Sequence, residues 1–540
     1  MKYYLSFLSL SLILISCTNN QVDLIVHNGV VYTVNETFDT ATAFVVKEGK
    51  FLEIGNEDLL SKYNSKNILD LKGLTVYPGL IDAHCHFYNL GITQTQVELR
   101  GSESEKAMVD RVIKFAKNEE GPAILGRGWD QNLWEVKEFP TKDMLDNAFP
   151  DKMVALRRVD GHALLVNQKV LDAAEITSNT SIEGGEVIVK DGLPTGVLID
   201  NAMGLANAVI PKPSRSKEIE ALKAAEKIAF ENGLTTVDEA GLDWDKLELI
   251  DSLQQANQLK IRLYGMISNS PENIAHYLEK GITQTKRLTV RSVKVYADGA
   301  LGSRGAALKA PYSDEQGNTG LFLTPINEIN TLAIKLSANG FQMNTHAIGD
   351  AANEAVLKAY ASALKKVDDP RWRVEHAQVV AKEDLSYFGK KVIPSVQPTH
   401  ATSDMEWADE RLGEERVKTA YTYKELLDVS GKLALGTDFP VEEVNPLNTF
   451  YAAVARKDKN GHPASGYQMK NALTREDALK GMTIWAAFAN FEENQKGSIE
   501  VGKVADFVIM SQDIMTVDEN AILQTEVVAT LVDGQIVYQK

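Results

Sequence analysis

Apolar and polar positions change their spacing along the chain and divide it into three parts. Residues 22–76 and 497–540 alternate apolar and polar positions in short runs between polar turns, which is typical of half-buried antiparallel strands. From residue 216 onward, helical patterns alternate regularly with short apolar runs. This alternation predicts βαβ units, and therefore a parallel sheet, between two β-rich chain ends.

The middle of the chain contains more candidate strands than one barrel can hold. They lie at 76–84, 123–127, 153–158, 235–239, 261–267, 292–298, 341–346, 372–376, 392–397 and 433–438. A (β/α)8 barrel has eight strands, and the runs at 123–127 and 153–158 lie in a region without clean βα alternation. We therefore predict an α/β fold: a (β/α)8 TIM barrel with an inserted subdomain at about 120–215, which we expect to cap the barrel mouth.

The composition excludes several classes of protein. Apolar residues make up 44% of the 540 residues and charged residues 24%, as in globular proteins, so a disordered chain is excluded. The 57 basic residues are outnumbered by 74 acidic ones, which leaves a net charge of −17, the wrong sign for neutralising nucleic-acid phosphates. We therefore expect no nucleic-acid partner. The two cysteines, Cys17 and Cys85, cannot build a disulfide scaffold.

The first sixteen residues have the composition of an export signal. Lys2 precedes an apolar run that is too short to span a bilayer comfortably. The motif LISC at 14–17 resembles the bacterial lipobox, in which cleavage occurs before a cysteine that becomes acylated. We expect residues 1–16 to be a lipoprotein signal peptide and Cys17 to carry the lipid that holds the protein at a membrane; an ordinary signal peptide with an incidental cysteine is the alternative. Because Thr18 follows instead of an aspartate, we expect the outer membrane, with the protein facing the periplasm.

Histidines and an aspartate stand at the ends of several candidate strands. His84 and His86 form an H-x-H pair, and the period of two along a strand places both imidazoles on one face. His346, His376 and Asp438 each end a separate candidate strand, and strand ends are where catalytic groups converge in such barrels. Imidazole and carboxylate ligands suit Zn²⁺, and Mn²⁺, Fe²⁺ or Ni²⁺ fit the same set.

Lys294 lies in a candidate strand whose alternation turns its side chain toward the barrel interior. Val293 and Val295 face one side of this strand, while Lys294 and Tyr296 face the other. Burying a charged lysine inside a barrel costs free energy unless the charge is paired or removed. Reaction with CO₂ would explain a lysine at this position, because the resulting carbamate resembles a carboxylate and can bridge two divalent cations.

Eight long motifs occur in the order known from one protein family. They are PGLIDAHCH, WDQNLW, RRVDGHALLVN, VKVYADGALGSRGAAL, THAIGD, RVEHAQ, GTDFPV and KGSIEVGKVADFVIM. On these motifs the chain resembles the amidohydrolase superfamily of binuclear type, specifically the branch of N-substituted formamide deformylase and the YtcJ-like amidohydrolases. The resemblance covers nearly the whole mature chain. It implies a small β-sandwich formed by 17–76 and 491–540, beside a metal-dependent hydrolase barrel at 77–490.

The same resemblance implies two divalent metal ions, with Zn²⁺ expected, and a set of six ligands. These are His84, His86, Lys294 as a CO₂-derived carbamate, His346, His376 and Asp438. His84, His86 and Asp438 would hold one ion, His346 and His376 would hold the other, and Lys294 would bridge them. A hydroxide bridging both ions would attack the amide carbonyl. Asp438 would accept the proton of the attacking water and deliver it to the leaving amine.

Three residues of the insertion are further candidates. His162 in VDGHALLVN could contact the substrate carbonyl as a catalytic lid residue, or make a structural hydrogen bond. Trp129 and Asp130 in GRGWDQNLW could line the substrate pocket, although an aromatic residue there could equally serve packing.

Three residues beyond barrel strands are also candidates for substrate contact. Asp298 and Arg304 follow Lys294, and Arg304 could either hold an anionic substrate group or pair with Asp298. His400 in QPTHATSD follows the seventh barrel strand.

The predicted function is hydrolysis of a non-peptide C–N bond in a small-molecule amide. Resemblance to the formamide deformylase branch favours acyclic N-substituted amides over cyclic amides, which the same centre would serve. A lipid-anchored binding protein that has lost catalysis is the alternative of another class, and the intact set of six ligands disfavours it. Serine-hydrolase, H-E-x-x-H and P-loop motifs do not occur in the sequence. No pattern indicates an oligomeric state.

Overall fold

The computed structural model describes residues 20–117, 121–158, 161, 163–182 and 185–540. These residues form two compact units. The first, here called the barrel unit, contains residues 20–85, 229–251 and 260–540. The second, here called the inserted unit, contains residues 86–228 and 252–259. The predicted signal peptide and Cys17 lie outside the described residues.

Eight parallel strands form the centre of the barrel unit. In chain order they are β1 (Leu80–Cys85), β2 (Leu234–Leu242), β3 (Arg262–Ser268), β4 (Leu288–Tyr296), β5 (Gln342–Ala347), β6 (Trp372–His376), β7 (Val392–Val396) and β8 (Ala434–Leu435). The sheet closes where the backbone N–H of Asp438 donates to the carbonyl of His84 at 2.8 Å. Gly436 permits this approach, because a Cβ there would lie 2.5 Å from the backbone nitrogen of His84. The predicted TIM barrel is confirmed.

The first predicted barrel strand, 76–84, is two strands in the structure. Thr75–Pro78 pairs with Phe507–Met510 outside the barrel, and Leu80–Cys85 pairs with β2. The chain changes sheets at Gly79, where a Cβ would lie 2.2 Å from Oγ1 of Thr235. Apolar periodicity alone does not reveal such a change of sheet, because both strands are buried throughout.

Helices follow most barrel strands, as the alternating pattern predicted. The helices from residue 215 onward are Arg215–Glu231, Trp244–Gln255, Pro271–Lys280, Ile326–Ala338, Asp350–Ala363, Pro398–Asp404, Ala408–Arg416, Tyr423–Ser430, Pro446–Ala455, Arg475–Gly481 and Ile484–Ala489. Pro271–Lys280 illustrates their local signals. The Ser270 hydroxyl caps its first turn by accepting from the Asn273 N–H, and Gly281 follows its last residue with a positive φ.

Both ends of the chain form the predicted β-sandwich. One sheet contains Leu24–His27, Ala43–Lys47, Lys50–Gly55 and Ile68–Asp70; the other contains Val30–Tyr32, Thr40–Ala41, Thr75–Pro78, Phe507–Met510, Val527–Val532 and Gln535–Gln539. Phe44 and Phe51 of the first sheet pack on Phe507 of the second, with ring centroids 5.0 and 6.3 Å apart. The strand from the C-terminal part therefore completes the core that the N-terminal part begins.

The inserted unit has a six-stranded sheet of its own. Its order is Gly185–Lys190, Leu193–Asp200, Ala163–Val166, Met153–Arg158, Ala123–Trp129 and Val97–Glu98. Its shorter helices are Phe87–Gln94, Glu105–Ala116, Asp143–Ala148, Gln168–Ala173 and Ala202–Val209. The strands predicted at 123–127 and 153–158 therefore lie outside the barrel sheet. That this unit caps the barrel mouth stays a prediction. In the described part of the chain, no helix combines the length and apolar content needed to cross a membrane.

Candidate metal centre

His84 lies near the end of β1 and is completely buried. Its two ring nitrogens have different surroundings. Nδ1 lies 2.5 Å from Oε2 of Glu375, whereas Nε2 lies 3.0 Å from Nζ of Lys294 and 3.7 Å from Oδ1 of Asp438. The carboxylate of Glu375 thereby orients the ring so that Nε2 faces the other candidate ligands.

His376, the last residue of β6, is oriented in the same way. Its Nδ1 lies 2.7 Å from Oε1 of Gln397, which can accept a hydrogen bond from this nitrogen. The His376 ring lies 4.8 Å from that of His84 and 4.6 Å from that of His346, measured between centroids. The three predicted imidazole ligands from β1, β5 and β6 are therefore close neighbours.

Asp438 follows β8 and completes a group that could hold a metal ion. One ligand atom each from His84, His376 and Asp438 lies within 4.8 Å of the others. Two ligands at about 2.0–2.1 Å from a tetrahedral ion are about 3.3 Å apart, close to the 3.7 Å between His84 and Asp438. The residues present fit a divalent metal ion.

Burial keeps the three imidazoles neutral. Together with the nearby Lys294 charge, it lowers the pKa of His84 to about 4 and that of His346 to about 3. Burial and the neighbouring histidines hold the pKa of His376 well below its usual range. Neutral imidazole is the form that binds metal ions.

Lys294 projects from β4 into the same group. The side chain is almost completely buried, and its Nζ lies 5.0 Å from the ring centroid of Tyr296. Burial lowers the pKa of Lys294 to about 8, although Glu375 and Asp438 act in the opposite direction. The alternation of the sequence therefore correctly predicted that the Lys294 side chain faces the interior of the barrel.

A buried ionic network behind His84 was not anticipated from the sequence. Arg373 is fully buried and donates to Glu375 at 2.7 Å, to Asp238 at 2.8 Å and to the Ala83 carbonyl. Burial alone would raise the pKa of Glu375, but Arg373 and His84 lower it below its usual range. The signal was available in RVEHAQ, where two charged residues share one face of a buried strand.

His86 is the first residue of the inserted unit. It follows β1 directly and stands at the start of helix Phe87–Gln94. His162 lies outside the described residues.

The other candidates of the inserted unit have structural partners. Trp129 is fully buried in the core of this unit, and its indole N–H donates to the Leu156 carbonyl at 2.7 Å. Asp130 pairs with Arg158 at 2.7 Å.

The candidates beyond the barrel strands divide into two kinds. Asp298 is buried and accepts hydrogen bonds from three backbone N–H groups, those of Ala307, Ile348 and Gly349. Arg304 pairs with Asp314 and Glu315, at 2.7 and 3.5 Å, and not with Asp298. Asp298 and His400 both lie beside predicted metal ligands: Oδ1 of Asp298 lies 3.6 Å from Nε2 of His346, and Nε2 of His400 lies 3.6 Å from Oδ2 of Asp438. The His400 ring also stacks on His376, with ring centroids 5.8 Å apart.

Known proteins are similar to this chain along most of its length. An amidohydrolase family model matches residues 67–538. The Bacillus subtilis (strain 168) protein YtcJ is 32% identical over 95% of this chain and 99% of its own. The N-substituted formamide deformylase of Arthrobacter pascens is 24% identical over 96% and 98%. An uncharacterized metal-dependent hydrolase from Pyrococcus horikoshii OT3 superposes with a TM-score of 0.79 at 29% identity, covering 92% of this chain and 99% of that one.

Proposed function

Because the chain belongs to the amidohydrolase family, we propose that this metal-dependent hydrolase cleaves the C–N bond of an acyclic N-substituted amide. The close grouping of His84, His376 and Asp438 is the observation that supports it most directly. These residues come from three different parts of the chain, and the structure brings their ligand atoms together.

We assign the six predicted ligands to two divalent ions, with Zn²⁺ expected. His84, His86 and Asp438 would hold one ion, and His346 and His376 the other. When bound, such ions polarise a carbonyl group and lower the pKa of a nearby water. The Nδ1 atoms of His84 and His376 lie against Glu375 and Gln397, so in this assignment Nε2 of each ring would bind the ion.

Lys294 would bridge the two ions as a carbamate. A neutral amine forms an N–C bond to CO₂ and releases one proton, which leaves a negatively charged carbamate. Burial favours the neutral amine. The carbamate would also place a negative charge beside the metal ligands, where the bare amine offers none.

Asp438 would move the proton of the reaction. In this assignment its carboxylate accepts a proton from the attacking water and gives it to the leaving nitrogen, without which C–N cleavage is slow. The hydrogen bond from its backbone to the His84 carbonyl holds Asp438 beside β1.

The proposed substrate class rests on similarity to one relative. The Arthrobacter pascens protein is named for N-substituted formamides and aligns over almost its whole length. This supports an acyclic amide over a cyclic one.

The test is hydrolysis of 4-nitroformanilide, an acyclic N-substituted formamide that releases coloured 4-nitroaniline. We expect turnover with this compound or a close N-alkyl analogue, and none with the cyclic amide hydantoin. Turnover of hydantoin alone would establish the cyclic alternative. A folded protein that turns over neither class and binds no metal would be the binding protein.

We also propose that the protein is an exported lipoprotein anchored through Cys17 at the outer membrane, facing the periplasm. The support is the lipobox-like motif at 14–17.

A further inference from the structure

Arg456 carries a positive charge into the interior of the barrel unit. It follows the helix Pro446–Ala455 in a left-handed backbone conformation, with φ 54° and ψ 39°, and it is completely buried. Its backbone carbonyl accepts from the Tyr467 N–H at 2.6 Å, so the two ends of the loop 457–466 are joined at this residue. The position of Arg456 is therefore fixed by its backbone.

The guanidinium group of Arg456 leaves most of its donors unused. Nε donates to the Tyr467 carbonyl at 2.8 Å. Nη1 and Nη2 carry the other N–H groups of the side chain, and neither has a hydrogen-bond partner among the described residues. Both nitrogens are buried.

Tyrosine rings lie beside this charge. Cζ of Arg456 lies 5.1 Å from the ring centroid of Tyr423 and 5.6 Å from that of Tyr467. Burial lowers the pKa of Arg456 below its usual range, and the groups that oppose this are Tyr423, Tyr467 and Tyr421. Ring faces attract a cation, but they leave the donors of Nη1 and Nη2 without acceptors.

Two other buried arginines of the same unit show what such a charge normally requires. Arg262 pairs with Asp506 and Asp533, at 2.5 and 2.7 Å. Arg373 pairs with Asp238 and Glu375, at 2.8 and 2.7 Å. Arginine stays protonated in proteins, and a buried charge is costly unless it is paired. Arg456 therefore needs a negative partner that the described residues do not supply.

We propose that Arg456 binds a monovalent anion of the size of chloride. One negative charge matches one guanidinium group, and the burial of Arg456, Tyr421 and Tyr423 requires a small occupant. The Tyr467 hydroxyl accepts from Nε2 of Gln468 at 3.1 Å, which leaves its own proton as a further donor to the anion.

Hydrogen bonds connect this site to the candidate metal centre. The Tyr423 hydroxyl donates to the Gln397 carbonyl at 3.0 Å, and Oε1 of Gln397 lies 2.7 Å from Nδ1 of His376. An anion held by Arg456 would pack beside the Tyr423 ring and help to keep Gln397 in place. Binding of the anion does not depend on the proposed amide hydrolysis.

The first experiment is diffraction from crystals of the full chain grown in sodium bromide, at a wavelength where bromide scatters anomalously. We expect anomalous density within hydrogen-bond distance of Nη1 or Nη2 of Arg456. Density for water or protein atoms alone beside these nitrogens would overturn the proposal.

The second experiment measures thermal unfolding of the full chain, purified in sodium chloride or in sodium gluconate at equal ionic strength. Gluconate is too large for an enclosed site. The difference in Tm between the two salts should favour chloride by about 2 °C more in the unmodified protein than in Arg456→Met. Arg475→Met should behave like the unmodified protein, because Nη1 of Arg475 donates to the Ile514 carbonyl at 2.8 Å instead.

A merely structural role for Arg456 predicts a different result. Arg456→Met would then shift the Tm equally in both salts, and this outcome would overturn the proposal. The bromide experiment needs no variant, so it decides the question even if Arg456→Met does not fold. Neither experiment requires turnover, so failure of the proposed amide hydrolysis would leave both decisive.

Discussion

Glu375 on β6 contacts Nδ1 of His84 on β1, across the interior of the barrel, at 2.5 Å. Glu375 also accepts from Arg373, so its carboxylate connects the first candidate metal ligand to a fully buried arginine. The pair fixes both the position of the His84 ring and the nitrogen that it presents to a metal ion.

Glu375→Gln should weaken metal binding by about 10–100-fold, because the variant removes the charge that orients and polarises His84. The measurement is metal competition against a chelator of known affinity. Glu476→Gln is the matched control, since Glu476 pairs with Lys480 at the surface and should leave affinity unchanged. A folded Glu375→Gln variant with full metal affinity would show that this contact does not support the centre.

Asp438→Asn should lower kcat by about 10²–10⁴-fold, because an amide cannot accept and return the proton. The measurement is turnover of 4-nitroformanilide, with metal content determined on the same samples. Asp428→Asn serves as control, because Asp428 is exposed and pairs with Lys424. Full turnover by Asp438→Asn would eliminate Asp438 as the proton shuttle.

Arg262→Met should lower the free energy of unfolding by about 3–5 kcal/mol, because it leaves two carboxylates without their buried partner. Arg262 on β3 is 2% exposed and pairs with Asp506 and Asp533, at 2.5 and 2.7 Å, beside the sandwich strands. Urea denaturation measures the change.

Lys286→Met provides the comparison for Arg262. Lys286 contacts the same Asp533 at 2.9 Å, but its side chain is 67% exposed. We expect a loss of less than about 1 kcal/mol, as for other exposed ion pairs. Equal losses for the two variants would contradict the assignment of stability to the buried pair.

Cys17→Ser should abolish incorporation of radiolabelled palmitate and release the protein from the membrane fraction, because the thiol that would be acylated is gone. Cys85→Ser should keep the label, since Cys85 is buried in β1. Labelling of the Cys17→Ser protein would instead indicate another site of acylation, and an unmodified protein without label would favour an ordinary signal peptide.

The sequence predicted the parts of the fold that depend on local periodicity. All eight barrel strands occur where apolar runs alternate with helical patterns, and His84, Lys294 and His346 lie where strand alternation turns inward. His376 ends β6 directly after the inward-facing Glu375, and its positive φ of 72° departs from regular alternation. The position of a strand end and the period-two alternation of side chains are local properties, so a single sequence is enough to predict them.

Contacts between distant parts of the chain could not be predicted in this way. Arg373 pairs with Asp238, which lies 135 residues away along the chain. Arg304 pairs with Asp314 and not with Asp298, whose carboxylate accepts hydrogen bonds from backbone N–H groups. Such partners depend on how strands pack in space. The change of sheet at Gly79 likewise depends on a contact between distant residues, because the backbone of Gly79 approaches Thr235 too closely for a Cβ to fit.

Metal content per chain tests the central claim most directly. The measurement is elemental mass spectrometry on a chain that begins at Thr18, expressed with divalent metals and bicarbonate. We predict about two ions per chain, and fewer for Lys294→Ala, because the bridging group is lost. A folded, unmodified protein that carries no metal under these conditions would contradict the account.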